Sequence, residues 1–275
     1  MKETLFEKQF FNKLKVMRKI IASLFVLGLG FSALAQDASS GPEYRKHRFG
    51  LKVTPGASWF KVNKIGSENK SIGYHVAGGL NYEYSLNKNV AITSGLLFTQ
   101  TTGGIEYTDS VGLKYSIVDN GVSTAAEAYQ LYSRRYIINS IDVPLTFKFR
   151  TAEIGYLTYY GEFGGMANVV TNAFASKNNV KLNETDGATT ELSGNESRLE
   201  AKNEVNFLRV GVNFGAGVEW NLVGNTSLLI GVNGNLALNS LMQKSSDSIF
   251  YRTTNASFQR ATRLNYCALQ IGVQF

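Results

Sequence analysis

From position 208 to 222 every even residue is apolar: Leu208, Val210, Val212, Phe214, Ala216, Val218, Trp220 and Leu222. The odd positions between them are polar or glycine: Arg209, Gly211, Asn213, Gly215, Gly217, Glu219 and Asn221. Side chains on a strand alternate between two faces, so 204–222 is predicted as one long strand with an apolar and a polar face. Such an alternation is long beside the usual strand of about five or six residues. Seven further stretches repeat it: 49–61, 72–86, 90–101, 136–150, 154–170, 226–239 and 263–275.

The connections sort into two kinds. Short turns follow the second, fourth and sixth strands, at 87–89, 151–153 and 223–225. The other connections are longer, and three of them are polar segments, at 103–135, 172–203 and 240–261, with 105–117 expected to form a hairpin above the main body. All short turns then lie at one end and all long loops at the other. The expected fold is all-β: an eight-stranded antiparallel up-and-down transmembrane β-barrel with short periplasmic turns and long external loops. The alternative is a soluble periplasmic ligand-binding barrel whose apolar parity lines a cavity.

Aromatic positions test the choice. Phe49, Tyr84, Phe149, Trp220 and Phe275 fall on the apolar parity near the short-turn ends, and Trp59, Tyr74, Phe98 and Phe163 fall on it toward the long-loop ends. Two aromatic belts flanking an aliphatic band are expected of a lipid-facing wall.

The polar parity then faces the lumen, with Lys52, His75, Glu83, Asp142, Lys148, Arg150, Glu162, Arg209 and Glu219. An eight-strand bore is just wide enough for side chains to fill it. Its charges are expected to pair into a plug, because an unpaired buried charge costs several kcal/mol by usual estimates. Gly215 and Gly217 are expected to relieve crowding there. Pro144 cannot donate to a ladder, so a bulge is expected at Val143–Pro144.

Composition changes this picture little. The formal charge of +7 falls to about +3 once 1–35 is set aside, which gives no reason to invoke nucleic acid. In 1–35, Arg18 and Lys19 precede an apolar run over 20–31, and Ala33-Leu34-Ala35 offers a small-x-small exit before Gln36. This reads as a signal peptide with Met17 as a possible start, then a periplasmic linker over 36–47 and the barrel over 48–275. The lone cysteine, Cys267, rules out an internal disulfide and any multi-cysteine metal site.

Candidate chemistry is sparse. His75 is placed beside Ser58 across the first strand pair, a fragment of a hydrolase or acyltransferase site, but no acid is positioned to orient the ring. No nucleotide or zinc motif is present, so no catalytic residue, metal or cofactor is assigned. A non-enzymatic barrel is the first reading, and a small barrel enzyme acting on lipid or peptide the alternative.

Ile141-Asp142-Val143-Pro144-Leu145-Thr146-Phe147-Lys148-Phe149 resembles a strand motif of the PorT-like outer-membrane β-barrels of the Bacteroidetes. Gly215-Ala216-Gly217-Val218-Glu219-Trp220 and Phe49-Gly50-Leu51-Lys52 are similar to two further strands of that family. The resemblance spans 48–275 and implies an outer-membrane barrel; it also makes Pro144 an ordinary family residue. Named members include a type IX secretion component. The C-terminal Phe275 with its alternating apolar neighbours resembles the signal read by the barrel-assembly machinery. Asp109-Ser110-Val111 and Asp247-Ser248-Ile249 resemble O-glycosylation sites of exported Bacteroidetes proteins. The expected partners are outer-membrane lipid, the assembly machinery, and a protein at the loops 103–135 and 172–203.

Overall fold

The computed structural model describes residues 45–62, 67–107, 111–119, 122–183, 189–193, 197–223, 226–244, 248–258 and 261–275. The expected leader, the linker as far as residue 44, Asn225, Asp109, Ser110 and Asp247 lie outside the described residues. The described residues include no α-helix.

Eight strands form a closed ring: β1 (His47–Val62), β2 (Gly73–Ser85), β3 (Val90–Tyr107), β4 (Gln130–Arg150), β5 (Leu157–Lys181), β6 (Leu208–Val223), β7 (Thr226–Ala237) and β8 (Thr262–Gln274). Each pairs antiparallel with the next in the chain. β8 returns to β1, with Gly50 opposite Gln274 and Val62 opposite Thr262. Closure leaves the ring without an unpaired edge.

The short turns are locally encoded. Between β2 and β3, the Asn87 Oδ1 accepts from the amides of Asn89 at 2.9 Å and Val90 at 2.8 Å. Between β4 and β5 the turn is longer than the alternation suggested. Ile154 and Leu157 exchange main-chain bonds of 2.9 and 3.2 Å around Gly155, whose φ of 67° a side chain would strain. β5 therefore begins at Leu157, and Ile154 belongs to the turn. His47, assigned by sequence to the linker, opens β1 and sets Nδ1 2.8 Å from the Tyr82 hydroxyl.

The long-loop end departs furthest from expectation. β4 and β5 have 21 and 25 residues, where about 9–11 tilted residues cross a bilayer. The polar segments 103–135 and 172–203 therefore contain barrel strand at their starts, and the first also at its end. Ile105 to Tyr107 finish β3, and the hairpin that follows is Val111–Asp119 with Val122–Ala128. Ile249–Tyr251 adds to it as a third strand.

Along β4 the two faces exchange character. Its outward row runs Phe149, Phe147, Leu145, Val143 and Ile141, then Asn139, Ile137 and Arg135; its inward row runs Lys148, Thr146, Pro144, Asp142 and Ser140, then Ile138, Tyr136 and the buried Arg134. Beyond this level the inside is an apolar core: Leu113 and Ile249 of the small sheet pack with Phe60, Ile105, Tyr136 and Leu264 of the ring.

No bulge forms at Val143–Pro144. Pairing with β3 lapses at those two residues, yet Ser94 opposite Leu145 and Leu97 opposite Asp142 keep one register, and pairing with β5 continues to Arg150. Proline removes a bond without inserting a residue, and only an inserted residue makes a bulge. The shifts lie higher, at Asn139/Ser140, where Thr171 of β5 is left over, and on either side of Ser133. Between the pairs Ser133–Asn179 and Arg135–Ser176, Lys177 takes a φ of 48° and Asn178 is buried.

Candidate functional site

The inward parity gathers charge at the short-turn end. Arg48 on β1, Glu83 on β2, Lys148 and Arg150 on β4, and Glu219 on β6 meet inside the ring, each largely or fully buried. Arg48 Nη1 lies 2.9 Å from Glu219 and 3.4 Å from Glu83; Lys148 lies 3.1 Å from Glu83 and also pairs with Glu219. Arg150 pairs with Glu83 and, through Nε at 3.0 Å, with Glu219. Arg48 Nη2 also donates to Ser227 of β7 at 2.8 Å. Five strands of the ring are thus tied across the bore by three cations sharing two carboxylates. Sequence reasoning missed Arg48, although it has the parity of Lys52 and was legible on that ground.

The next rows are polar but differently arranged. The Lys148 ammonium stands 4.4 Å from the Tyr160 ring centre, and Tyr160 accepts from Gln270 Nε2 at 3.3 Å. The Glu162 side chain lies over Gly215, where a Cβ would stand 2.8 Å from its Oε1; a Cβ at Gly217 would stand 2.7 Å from the Tyr160 oxygen. Asp142 accepts from Thr99 and Ser140, both at 2.7 Å, and Arg209 donates to Asn168 at 3.2 Å. Against expectation, Lys52, Glu162, Asp142 and Arg209 make no ion pair within 4.0 Å among the described residues. Hydroxyl and amide groups, Ser140 on the same strand and Thr99 and Asn168 on neighbouring ones, serve Asp142 and Arg209 instead.

His75 and Ser58 do not come together as a pair. The ladder sets Gly56, not Ser58, opposite His75, and the Ser58 hydroxyl donates to the Thr102 carbonyl at 2.6 Å. His75 Nδ1 lies 3.1 Å from the Thr101 hydroxyl, and its ring stacks on Tyr266 with centroids 3.7 Å apart. Among the described residues no group of three or more His, Cys, Asp or Glu is placed to hold a metal ion.

A second buried charged group sits in the loop-end core. Arg134 Nη1 donates to both oxygens of Glu204 at 2.8 and 2.9 Å, and its Nε donates to Asn178 Oδ1 at 2.8 Å. Tyr136 donates to Glu204 at 2.9 Å and lies 3.2 Å from the Tyr107 hydroxyl. Burial opposes the charge on Arg134, but Glu204 and the two tyrosines hold its guanidinium above its ordinary range. Nothing in the spacing of Arg134 and Glu204, 70 residues apart, announced this contact.

Outside, Phe49, Tyr84, Phe149 and Trp220 are exposed toward the short-turn end, joined by Phe147 and Tyr159. Tyr74 and Phe98 are exposed higher on the wall, Trp59 is half-buried, and Phe275 follows the end of β8. Phe163 departs from its expected level: it pairs opposite Phe147 and Phe214, in the short-turn half of β5. Leu80, Leu96, Leu145, Ile230, Val232 and Leu269 fill the exposed band between.

A closed antiparallel ring with an aliphatic outer band and charges inside defines an integral membrane β-barrel. The chain matches the model of the outer membrane protein beta-barrel domain over residues 34–243, and it belongs to that family. Its place is therefore the outer membrane. Among solved structures it is similar to Ail of Yersinia pestis in complex with sucrose octasulfate, at 13% identity over 84% of this chain and 100% of that one, TM-score 0.36. It is also similar to OprG of Pseudomonas aeruginosa, at 10% identity over 83% and 94%, TM-score 0.40. The Escherichia coli outer-membrane protease OmpT aligns at 10% identity over 86% and 99%, TM-score 0.33. Likenesses at these TM-scores carry no weight for function. No curated protein matches the chain.

Proposed function

We propose that this outer-membrane barrel neither conducts nor catalyses, and that it acts by presenting its long-loop end to a protein partner outside the cell. One observation supports the reading: buried side-chain clusters lie inside the ring toward both ends. The cluster of Arg48, Glu83, Lys148, Arg150 and Glu219 occupies the short-turn end, and the apolar core around Tyr136, Leu113 and Ile249 occupies the other. In this reading the lumenal charges are a plug, the short turns face the periplasm, and residues 1–35 serve export. The barrel-assembly machinery reads the Phe275 terminus, and outer-membrane lipid covers the wall. The PorT-like strand motifs support a part in envelope assembly or type IX secretion, by resemblance alone.

Planar-bilayer recording on the purified protein tests the plug. No stable open level is expected, and a steady ion-selective conductance would overturn it. Cross-linking through loop-end lysines on intact cells tests the partner. A captured protein lost when 189–193 and 197–200 are replaced by a short linker is expected; capture that is indifferent to these segments would sink the reading.

A further inference from the structure

On the outer wall, where the aliphatic band gives way to polar residues, β2, β3, β4 and β5 enclose a groove of about 590 Å³. The shift at Asn139/Ser140 shapes it, because the left-over Thr171 turns its hydroxyl to the Asn139 carbonyl at 3.1 Å. Its floor is apolar, made by Val76, Phe98 and Ile141. Across its upper edge runs a directed chain of hydrogen bonds. The Tyr74 hydroxyl donates to Gln100 Oε1 at 2.7 Å, and Gln100 Nε2 donates to Asn139 Oδ1 at 2.9 Å. The chain ends on Asn139 Nδ2, which has no hydrogen-bond partner among the described residues.

Side-chain amides at the edge of a hydrocarbon layer need partners, since unsatisfied polar groups are costly there. Water supplies them at an aqueous surface. This groove is continuous with the lipid-facing band of a chain whose family places it in the outer membrane, so the molecule at hand is a lipid. A chain that ends on an N–H calls for an acceptor oxygen, and an apolar floor beneath it calls for a hydrocarbon tail. Both belong to an acyl lipid at the point where tail joins head.

We propose that the groove seats one acyl lipid of the outer membrane. Its tail lies on Val76, Phe98 and Ile141, and an acyl carbonyl oxygen accepts from Asn139 Nδ2. This does not depend on whether the bore conducts or on what the loops bind.

The test compares a diacyl phosphatidylethanolamine with its dialkyl ether analogue, which keeps head and tails but lacks both carbonyls. Native mass spectrometry of the full chain released from detergent reads the bound lipid. The protein should hold one diacyl lipid about tenfold more tightly than the ether, the worth of a hydrogen bond in an apolar setting. Asn139→Leu should lower diacyl binding to the ether level and abolish the preference. Phe98→Ala should weaken both lipids alike. Asn139→Asp, which puts an acceptor oxygen where the Nδ2 donor stood, repeats the test should Asn139→Leu fail to assemble. Equal binding of ester and ether by the unaltered protein, or a preference that survives in Asn139→Leu or in Asn139→Asp, would overturn the proposal.

Discussion

Glu83 and Glu219 each touch Arg48, Lys148 and Arg150, so the short-turn cluster holds one positive charge more than it can pair. Removing a carboxylate and removing a cation therefore have unequal effects. Glu83→Gln leaves three buried cations on one carboxylate and should cost about 3–5 kcal/mol, the usual loss when a buried pair is broken. Lys148→Met leaves two arginines matched to two carboxylates and should cost clearly less. Urea unfolding of the purified barrel in micelles, followed by tryptophan fluorescence, reads both; equal losses would refute the count. The same scale separates two glycines. A Cβ on Gly217 would stand 2.4 Å from the Ile230 carbonyl oxygen, which is fixed in the wall, while its nearest neighbour at Gly215 is the movable tip of Glu162. Gly217→Ala should lose about 1–3 kcal/mol to overpacking and Gly215→Ala less. The temperature at which unheated-type gel migration is lost would rank them.

Among the elements, β4 and β5 show what was legible and what was not. Their membrane halves were read from sequence because lipid outside and polar groups inside enforce an unbroken alternation. Above Ser140 the alternation continues, but the inward parity turns apolar: Ile138 and Tyr136 face in, while outside only Ile137 continues the row of Ile141, Val143 and Leu145 before polar Arg135. A pattern that loses its single apolar face reads as a strand that stops, so 130–135 and 172–181 read as loop. Arg134 belongs to this hidden portion. Its partner Glu204 lies on the 3-10 turn Lys202–Glu204, which the pair ties to the barrel top. Glu204→Gln should leave the ring folded and loosen that turn. Limited proteolysis of the intact barrel should then cleave the 182–206 segment faster, by roughly the tenfold or more that loss of a buried charged contact implies. Unchanged cleavage would mean the turn is held by packing alone.

Over the whole molecule, the ring, its strand count and its wall followed from hydrophobic patterning and loop sorting. The site followed only in part. The parity of Lys52, Glu83, Lys148 and Glu219 placed them inside, but parity does not say which charges meet across a bore. That depends on the stagger of the strands, which put Arg48 into the cluster and left Lys52 outside it. The loop-end core was illegible for another reason: Leu113, Ile249 and Leu264 come from distant segments that share no period, and only closure of the ring brings them together.

The exchange of faces along the wall gives the two halves different thermodynamics. The loop-end core withdraws apolar side chains from water, so its melting should raise the heat capacity, and its stability should fade on cooling as well as on heating. The membrane half keeps its greasy surface against lipid and hides polar groups, so it lacks that signature. One continuous sheet thus joins a cap that is sensitive to cold to a stave that is not, and low temperature would loosen the long-loop end first.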